Sequence, residues 1–240
     1  MSLLILAPKC SMESASKLAR SVKGEVLNPF DTLNTDFREH HLVINYGCNR
    51  NIQYTNILNT PKSVNLCVNK LKTIDAFKKI GIPTVDYVLT KEEVPKHWEH
   101  ISIHDKLNGS KGEGVTWVTK ENLHKIEKAA FFSEYFYHKK EFRIVCFLKE
   151  AYAYEKVQEG TEWHLILREY QYLAPMLKAC QEAKKALGID FVGFDVLVAE
   201  DNTFVIIEAN SGPIMTDELL GVFKEYVHSF VNALRKGNEQ

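Results

Sequence analysis

The sequence predicts an α/β protein whose amino-terminal part is a small parallel-sheet unit and whose remainder is α+β, rich in antiparallel sheet. Three observations carry this. An apolar run from Leu3 to Ala7 is followed closely by an amphipathic stretch from Ser11 to Val22, the β-α opening of a parallel sheet. A lysine-interleaved helical pattern from Ser63 to Ile80 stops at Gly81-Ile82-Pro83, where glycine permits a left-handed turn and proline cannot continue a helix. From Phe131 onward, short apolar runs separated by polar turns read as hairpins.

Composition sets the limits of function. At roughly 150 residues per domain, 240 residues make one or two domains with a sizeable core. Thirty Lys and Arg against 31 Asp and Glu leave a net charge of -1, so no electrostatic motive exists for indiscriminate binding to nucleic acid or anionic lipid. Leu3 to Ala7 is too short for a signal-peptide core or a membrane span, so neither membrane nor nucleic-acid partners are expected and the expected location is cytoplasmic. Five scattered cysteines (Cys10, Cys48, Cys67, Cys146, Cys180) form no C-x-x-C pair and read as small buried hydrophobes.

In chain order, Ser11 is placed to cap the first helix, with Glu13 near its positive end. Glu25 to Asn28 and His41 to Asn45 are two further strands. Strands are expected at Val85 to Leu89, Ile101 to Leu107 and Gly114 to Val118, with short helices at Glu92 to Trp98 and Leu123 to Ala129. That stretch forms a small lid-like unit. Phe131 to Tyr137 is extended, and Phe142 to Leu148 with Ala151 to Val157 makes a hairpin turning at Lys149-Glu150. Apolar residues from Leu173 to Leu187 recur at helical spacing up to Gly188. Phe191 to Val198 and Thr203 to Ile207 follow as strands, and Leu219 to Leu234 as a last helix able to cover the sheet or a second copy of the chain. The resulting units are 1–83 on the substrate side, 84–137 as lid, and 138–240 with the metal site.

Three groups of residues point to chemistry. Asp195 in G-F-D-V-L and Glu208 in I-I-E-A-N lie on adjacent strands of one hairpin, and the two-residue period puts Asn210 on the face of Glu208. Two carboxylates and an amide are hard oxygen donors suited to Mg²⁺ or Mn²⁺ beside nucleotide phosphates; solvated strand ends are the alternative. The loop K-x-x-G-S-x-G-x-G-V, from Lys106 to Val115, combines a point charge with backbone able to approach phosphate oxygens. It lacks the ending of a Walker A loop and opens a strand, so a P-loop enzyme is disfavoured. Ser133 to Phe136 is an extended segment with free backbone for an adenine edge, and Glu141 and Arg143 share a strand face, either for ribose and phosphate or as a cross-strand ion pair.

The order of these motifs, from N-K-L-x-T and G-I-P through the glycine loop and E-x-R to G-F-D-V-L and I-I-E-A-N-S-G-P, resembles the ATP-grasp superfamily between Asn69 and Pro213. It is most similar to the branch of carboxylate-amine ligases typified by the ribosomal-protein glutamate ligase. The resemblance implies an ATP-grasp fold with an amino-terminal unit, a central lid and a carboxy-terminal antiparallel sheet. It also implies ATP and Mg²⁺ or Mn²⁺ as cofactors, activation of a small-molecule or peptide carboxylate as an acyl phosphate, and attack by an amine. By position, Lys70 and Lys106 match the phosphate-binding lysines, and Gly109, Ser110, Gly112 and Gly114 the loop over the phosphates. Glu134, Tyr135 and Phe136 match the adenine hinge, and Glu141 the ribose-binding acid. Arg143 matches the arginine facing the transferred phosphoryl group, Lys156 a second basic residue of some members, and Asp195, Glu208 and Asn210 the metal ligands. The E-K-V-Q-E-G-T-E-W-H stretch departs from the R-x-N-x-x-x-G pattern of glutamate-adding enzymes, so the resemblance does not carry the acceptor's identity. A grasp-fold small-molecule kinase and a non-catalytic nucleotide-binding protein are the alternatives, and Arg50 in N-Y-G-C-N-R is a candidate partner for a substrate carboxylate.

Overall fold

The computed structural model describes residues 2–30, 40–108 and 114–237, with side chains described as far as residue 233. Strands β1 (Leu3–Leu6), β2 (Glu25–Leu27), β3 (Leu42–Asn45) and β4 (Ile57–Leu58) form the expected parallel sheet, in the order β2-β1-β3-β4. Helix α1 (Met12–Val22) crosses between β1 and β2. Ser11 occupies its N-cap position, as expected, but its side chain makes no capping bond.

The expected single helix over 63–80 is two helices, α2 (Pro61–Val68) and α3 (Lys70–Lys79). Asn69 breaks it with an extended backbone (φ -91°, ψ 106°) and caps α3, its Oδ1 accepting from Lys72 N at 3.1 Å. The Thr73 hydroxyl donates to the Leu66 carbonyl at 2.9 Å, so the carbonyl end of α2 is satisfied from within α3. The Lys70 amide donates to Leu107 O at 3.0 Å. Side-chain capping on both sides thus outweighs helix continuation, and Lys70 begins a new helix almost buried.

The next unit is a four-stranded antiparallel sheet, β5 (Tyr87–Val88), β6 (His100–His104), β7 (Val115–Thr119) and β8 (Phe131–Glu134), ordered β5-β8-β6-β7. The helices expected at 92–98 and 123–129 are corrected to 3-10 turns at Lys91–Glu93 and Lys120–Lys125. In the first, Thr90 and Glu93 close a capping box that consumes the helix start within one turn. Val94, Trp98, Ile101, Ile103, Leu123 and Phe132 form this unit's own core.

The third sheet contains β9 (Lys140–Phe147), β10 (Glu150–Glu159), β11 (Glu162–Arg168), β12 (Phe191–Val198) and β13 (Phe204–Asn210), antiparallel in the order β11-β10-β9-β12-β13. Strand β11 was not expected, because E-W-H-L-I-L-R mixes charge with apolar residues and pairs along one edge only. One face of this sheet buries Val145, Phe147 and Phe191 against α1, the parallel sheet and α5 (Asp217–Gly237). The other buries Ile144, Cys146, Phe194 and Ile206 beneath α3 and α4 (Ala174–Leu187). α2 and α3 therefore pack on β13 and α4.

Asn59 joins the parallel sheet to the third sheet. Fully buried at φ +58°, it accepts from the Asp190 and Phe191 amides at 2.9 and 3.1 Å. Its amide group donates to Phe191 O at 2.9 Å, and its backbone N–H donates to Asp190 Oδ2 at 2.7 Å. This knot fixes the start of β12, and hence the height of Asp195.

Candidate functional site

Strand register assembles the site. Across the third sheet, Tyr154, Arg143, Asp195 and Glu208 stand opposite one another on β10, β9, β12 and β13, with Lys156 and Glu141 paired one pleat further along. Period-two alternation puts them on one face. Asp195 and Glu208 are direct cross-strand partners, followed by a bulge between Asp195 and Val196.

The charges there are interlocked. Arg143 grips Asp195 with both arms, Nε to Oδ1 and Nη2 to Oδ2 at 2.9 Å. Lys156 Nζ bonds Glu141 Oε1 and lies 3.6 Å from Asp195 Oδ1. Burial, and then the neighbouring Asp195, raise the Glu208 pKa above the usual carboxylate range, with Lys70, Arg143 and Lys156 opposing the shift. Lys70 is 8% exposed and makes no ion pair within 4.0 Å among the described residues. A buried ammonium and a desolvated carboxylate left without close partners are costly by themselves and mark a place for polar or ionic ligands.

Two cavities meet at Lys70 and Glu208. The first, about 260 Å³, lies between the second and third sheets. Its apolar walls include Ile74, Val85, Leu197 and Ile207, its rim is Glu134, Tyr135 and Phe136, and Glu141 stands at its polar end. The second, about 370 Å³, runs from Glu208 and Asn210 past Ser211 and Gly212 to Cys10, Ser11 and Asn49 of the amino-terminal unit. Gly212 is pressed against that unit, since a Cβ there would lie 3.1 Å from Tyr46 O. The Tyr46 hydroxyl donates to Pro213 O.

Lys70, Glu134, Tyr135, Phe136, Glu141 and Glu208 thus line the first cavity, while Arg143, Lys156 and Asp195 form the ionic row adjoining it on the same sheet face. Lys106 is exposed and lines neither cavity. Gly114 adopts φ +71° and accepts from the Asp105 amide at 2.8 Å, closing the end of the loop. Gly109, Ser110 and Gly112 lie outside the described residues. Arg50, expected near a substrate carboxylate, donates to Pro29 O and does not line the second cavity.

The donor set fits a small divalent cation. Asp195 and Glu208 would supply hard carboxylates, with both Asp195 oxygens now held by Arg143, and Asn210 would supply its amide oxygen from the same face. No group of three or more His, Cys, Asp or Glu that could hold a metal ion occurs among the described residues, so a cation here would have to rely on Asn210 beside the two carboxylates. His104 was not singled out in the sequence, although it lines the first cavity beside Ser133. Its signal was available: alternation in H-I-S-I-H puts His100, Ser102 and His104 on the face opposite the core residues Ile101 and Ile103.

A small parallel-sheet unit, a four-stranded antiparallel sheet and a five-stranded antiparallel sheet with a cavity between the last two match the ATP-grasp fold, and the chain has it. Its structure is similar to that of the ATP-grasp ligase PsnB complexed with a phosphomimetic variant of minimal precursor, Mg and ADP, with a TM-score of 0.73 and 10% identity over 95% of this chain and 98% of that one. It is similar also to the macrocyclase MdnC bound with precursor peptide MdnA from Microcystis aeruginosa MRC (TM-score 0.70, 14% identity, 97% and 100% coverage). D-alanine–D-alanine ligase from Bacillus anthracis aligns with a TM-score of 0.68 and 16% identity over 99% of each chain. At such identities the likeness is one of fold. No family model and no curated protein matches the sequence.

Proposed function

We propose that the protein is an ATP-dependent carboxylate-amine ligase. The observation that carries this reading is the convergence of Lys70, Glu141 and Glu208 at the polar end of an apolar cavity, beside the Arg143–Asp195–Lys156 row. The walls suit a purine, the Glu134 to Phe136 segment its edge, and Glu141 the ribose hydroxyls. The second cavity, opening from the same charged end, suits the carboxylate substrate.

In this reading the carboxylate attacks the γ-phosphorus of ATP, ADP leaves, and an acyl phosphate forms. A neutral amine then adds to the acyl carbon, phosphate leaves, and the amine proton passes to solvent or phosphate. Both steps bring anions together, so neutralisation and alignment do most of the catalysis. Arg143 is the group we assign to the transferred phosphoryl, with Lys156 holding Glu141 and Asp195 in register and Lys70 balancing phosphate charge. Mg²⁺ or Mn²⁺, held by Asp195, Glu208 and Asn210, would supply charge neutralisation to the phosphates. Closure of the lid would exclude water that otherwise hydrolyses the acyl phosphate.

PsnB and MdnC are complexed with precursor peptides, which supports a peptide among the carboxylate or amine partners here. Free cysteines, four of them buried, agree with a reducing, cytoplasmic setting. The test is ADP release across a panel of carboxylates and peptides with hydroxylamine as trap. Carboxylate-dependent hydroxamate is the expected product. ADP release that leaves a stable phosphorylated product identifies a kinase instead, and no nucleotide turnover with any acid defeats the reading.

A further inference from the structure

Gly193 is buried in the middle of β12, a place where glycine weakens a strand. Its backbone is not at positive φ, so conformation does not require it. Space does. A β-carbon built there would lie 2.9 Å from Pro213 Cβ and 3.3 Å from Arg143 Cδ. The first separation is closer than real β-carbons approach other atoms, and the second obliges the arginine to give way.

Both neighbours belong to the site. Pro213 is buried at the end of S-G-P, and its carbonyl accepts from the Tyr46 hydroxyl of the amino-terminal unit. Arg143 stands opposite Asp195 in register, and Gly193 stands opposite Val145, so Gly193 is the diagonal neighbour of Arg143 on the same sheet face. The arginine stem leans across that bare position, and its guanidinium turns back to hold Asp195 through Nε and Nη2. On its other side Gly193 pairs with Asn210. The sheet floor is therefore lowest between the arginine and that amide.

Resting on the assignment of Arg143 to the transferred phosphoryl group, we propose that Gly193 is a positioning residue for that arginine. Its bare α-carbon is the floor on which the Arg143 stem lies, and Pro213, tied to Tyr46, fills the rest of the same space. Any side chain at 193 lifts the stem, and with it the fork whose geometry has to match developing phosphoryl charge.

Magnetic resonance of the guanidinium Nε–H groups in the full-length protein tests this without turnover. The Arg143 signal is assigned by its absence in Arg143→Lys, and its bond to Asp195 sets it apart from free arginine. Pro213→Gly removes the other crowded carbon and is the reference. Adding Gly193→Ala to that reference is expected to move the Arg143 signal toward free arginine. An unmoved signal overturns the proposal, because the glycine then serves Pro213 alone. In turnover trapped with hydroxylamine, the same addition should lower kcat about tenfold with ATP affinity unchanged. It should add nothing to the loss caused by Arg143→Ala, and an additive loss overturns the proposal. A moved signal with undiminished kcat leaves the positioning intact and overturns instead the assignment of Arg143 to the phosphoryl group. Should the combined variant unfold, Arg143→Ala is added to it: recovery of the fold supports the inference, and continued unfolding overturns it.

Discussion

Arg143 holds both carboxylate oxygens of Asp195, and the planar fork that does so has no equivalent in a lysine. Arg143→Lys is expected to lower kcat by roughly 10²-fold while the ATP affinity changes little, because the lost bond matters most when phosphoryl charge develops. Steady-state kinetics alongside calorimetry separate the two. His104 makes a pH prediction. Its pKa is about 3 in the folded protein, against an ordinary value of 6.5, so below about pH 6.5 the unfolded chain takes up a proton that the folded one refuses. The stability contribution is complete above that pH and lost as pH falls toward 3, by at most roughly 1.4 kcal/mol per pH unit. Urea unfolding at about pH 7 and about pH 5 measures the loss, and His104→Asn should lose less over that interval. Equal losses in both proteins contradict a depressed His104.

At the scale of elements, the hairpin of β12 and β13 was legible because its strands are nearly continuous apolar runs broken at one acidic turn. The two carboxylates then had to face each other by register alone. Helix boundaries were less legible. The division of α2 from α3 depends on Asn69 and Thr73 bonding backbone groups that neither periodicity nor propensity reveals. Strand β11 escaped because a half-exposed edge strand carries little apolar alternation. Asn59 gave no sign of its importance, since its partners lie more than 130 residues away. Asn59→Ala should destabilise by on the order of 3 kcal/mol, leaving several buried backbone groups unpaired and a β-carbon at positive φ. A chemical-denaturation midpoint near that of the wild type contradicts the knot.

For the molecule as a whole, nucleotide and cation should bind the folded protein as a unit. At ligand concentrations about 100-fold over Kd, ATP with Mg²⁺ is expected to stabilise by about 2.7 kcal/mol, read as a rise in Tm. EDTA should remove most of that rise. Glu208→Gln should abolish the cation-dependent part while raising the Tm of the free protein, because a desolvated carboxylate beside Asp195 is replaced by a neutral amide. A Tm rise that ignores EDTA in the wild type counts against the metal assignment.

The sequence by itself determined the parallel opening unit, the antiparallel carboxy-terminal sheet and the ordered motifs that mark the site, because periodicity and turn chemistry are local and are written residue by residue. Tertiary structure alone decided that Lys70 is buried without an ion-pair partner among the described residues, that Arg143 and Lys156 engage Asp195, and that His104 is held neutral in the cavity wall. Those properties arise from desolvation and from charges brought together across strands far apart in the chain, and neither exists until the sheets have packed.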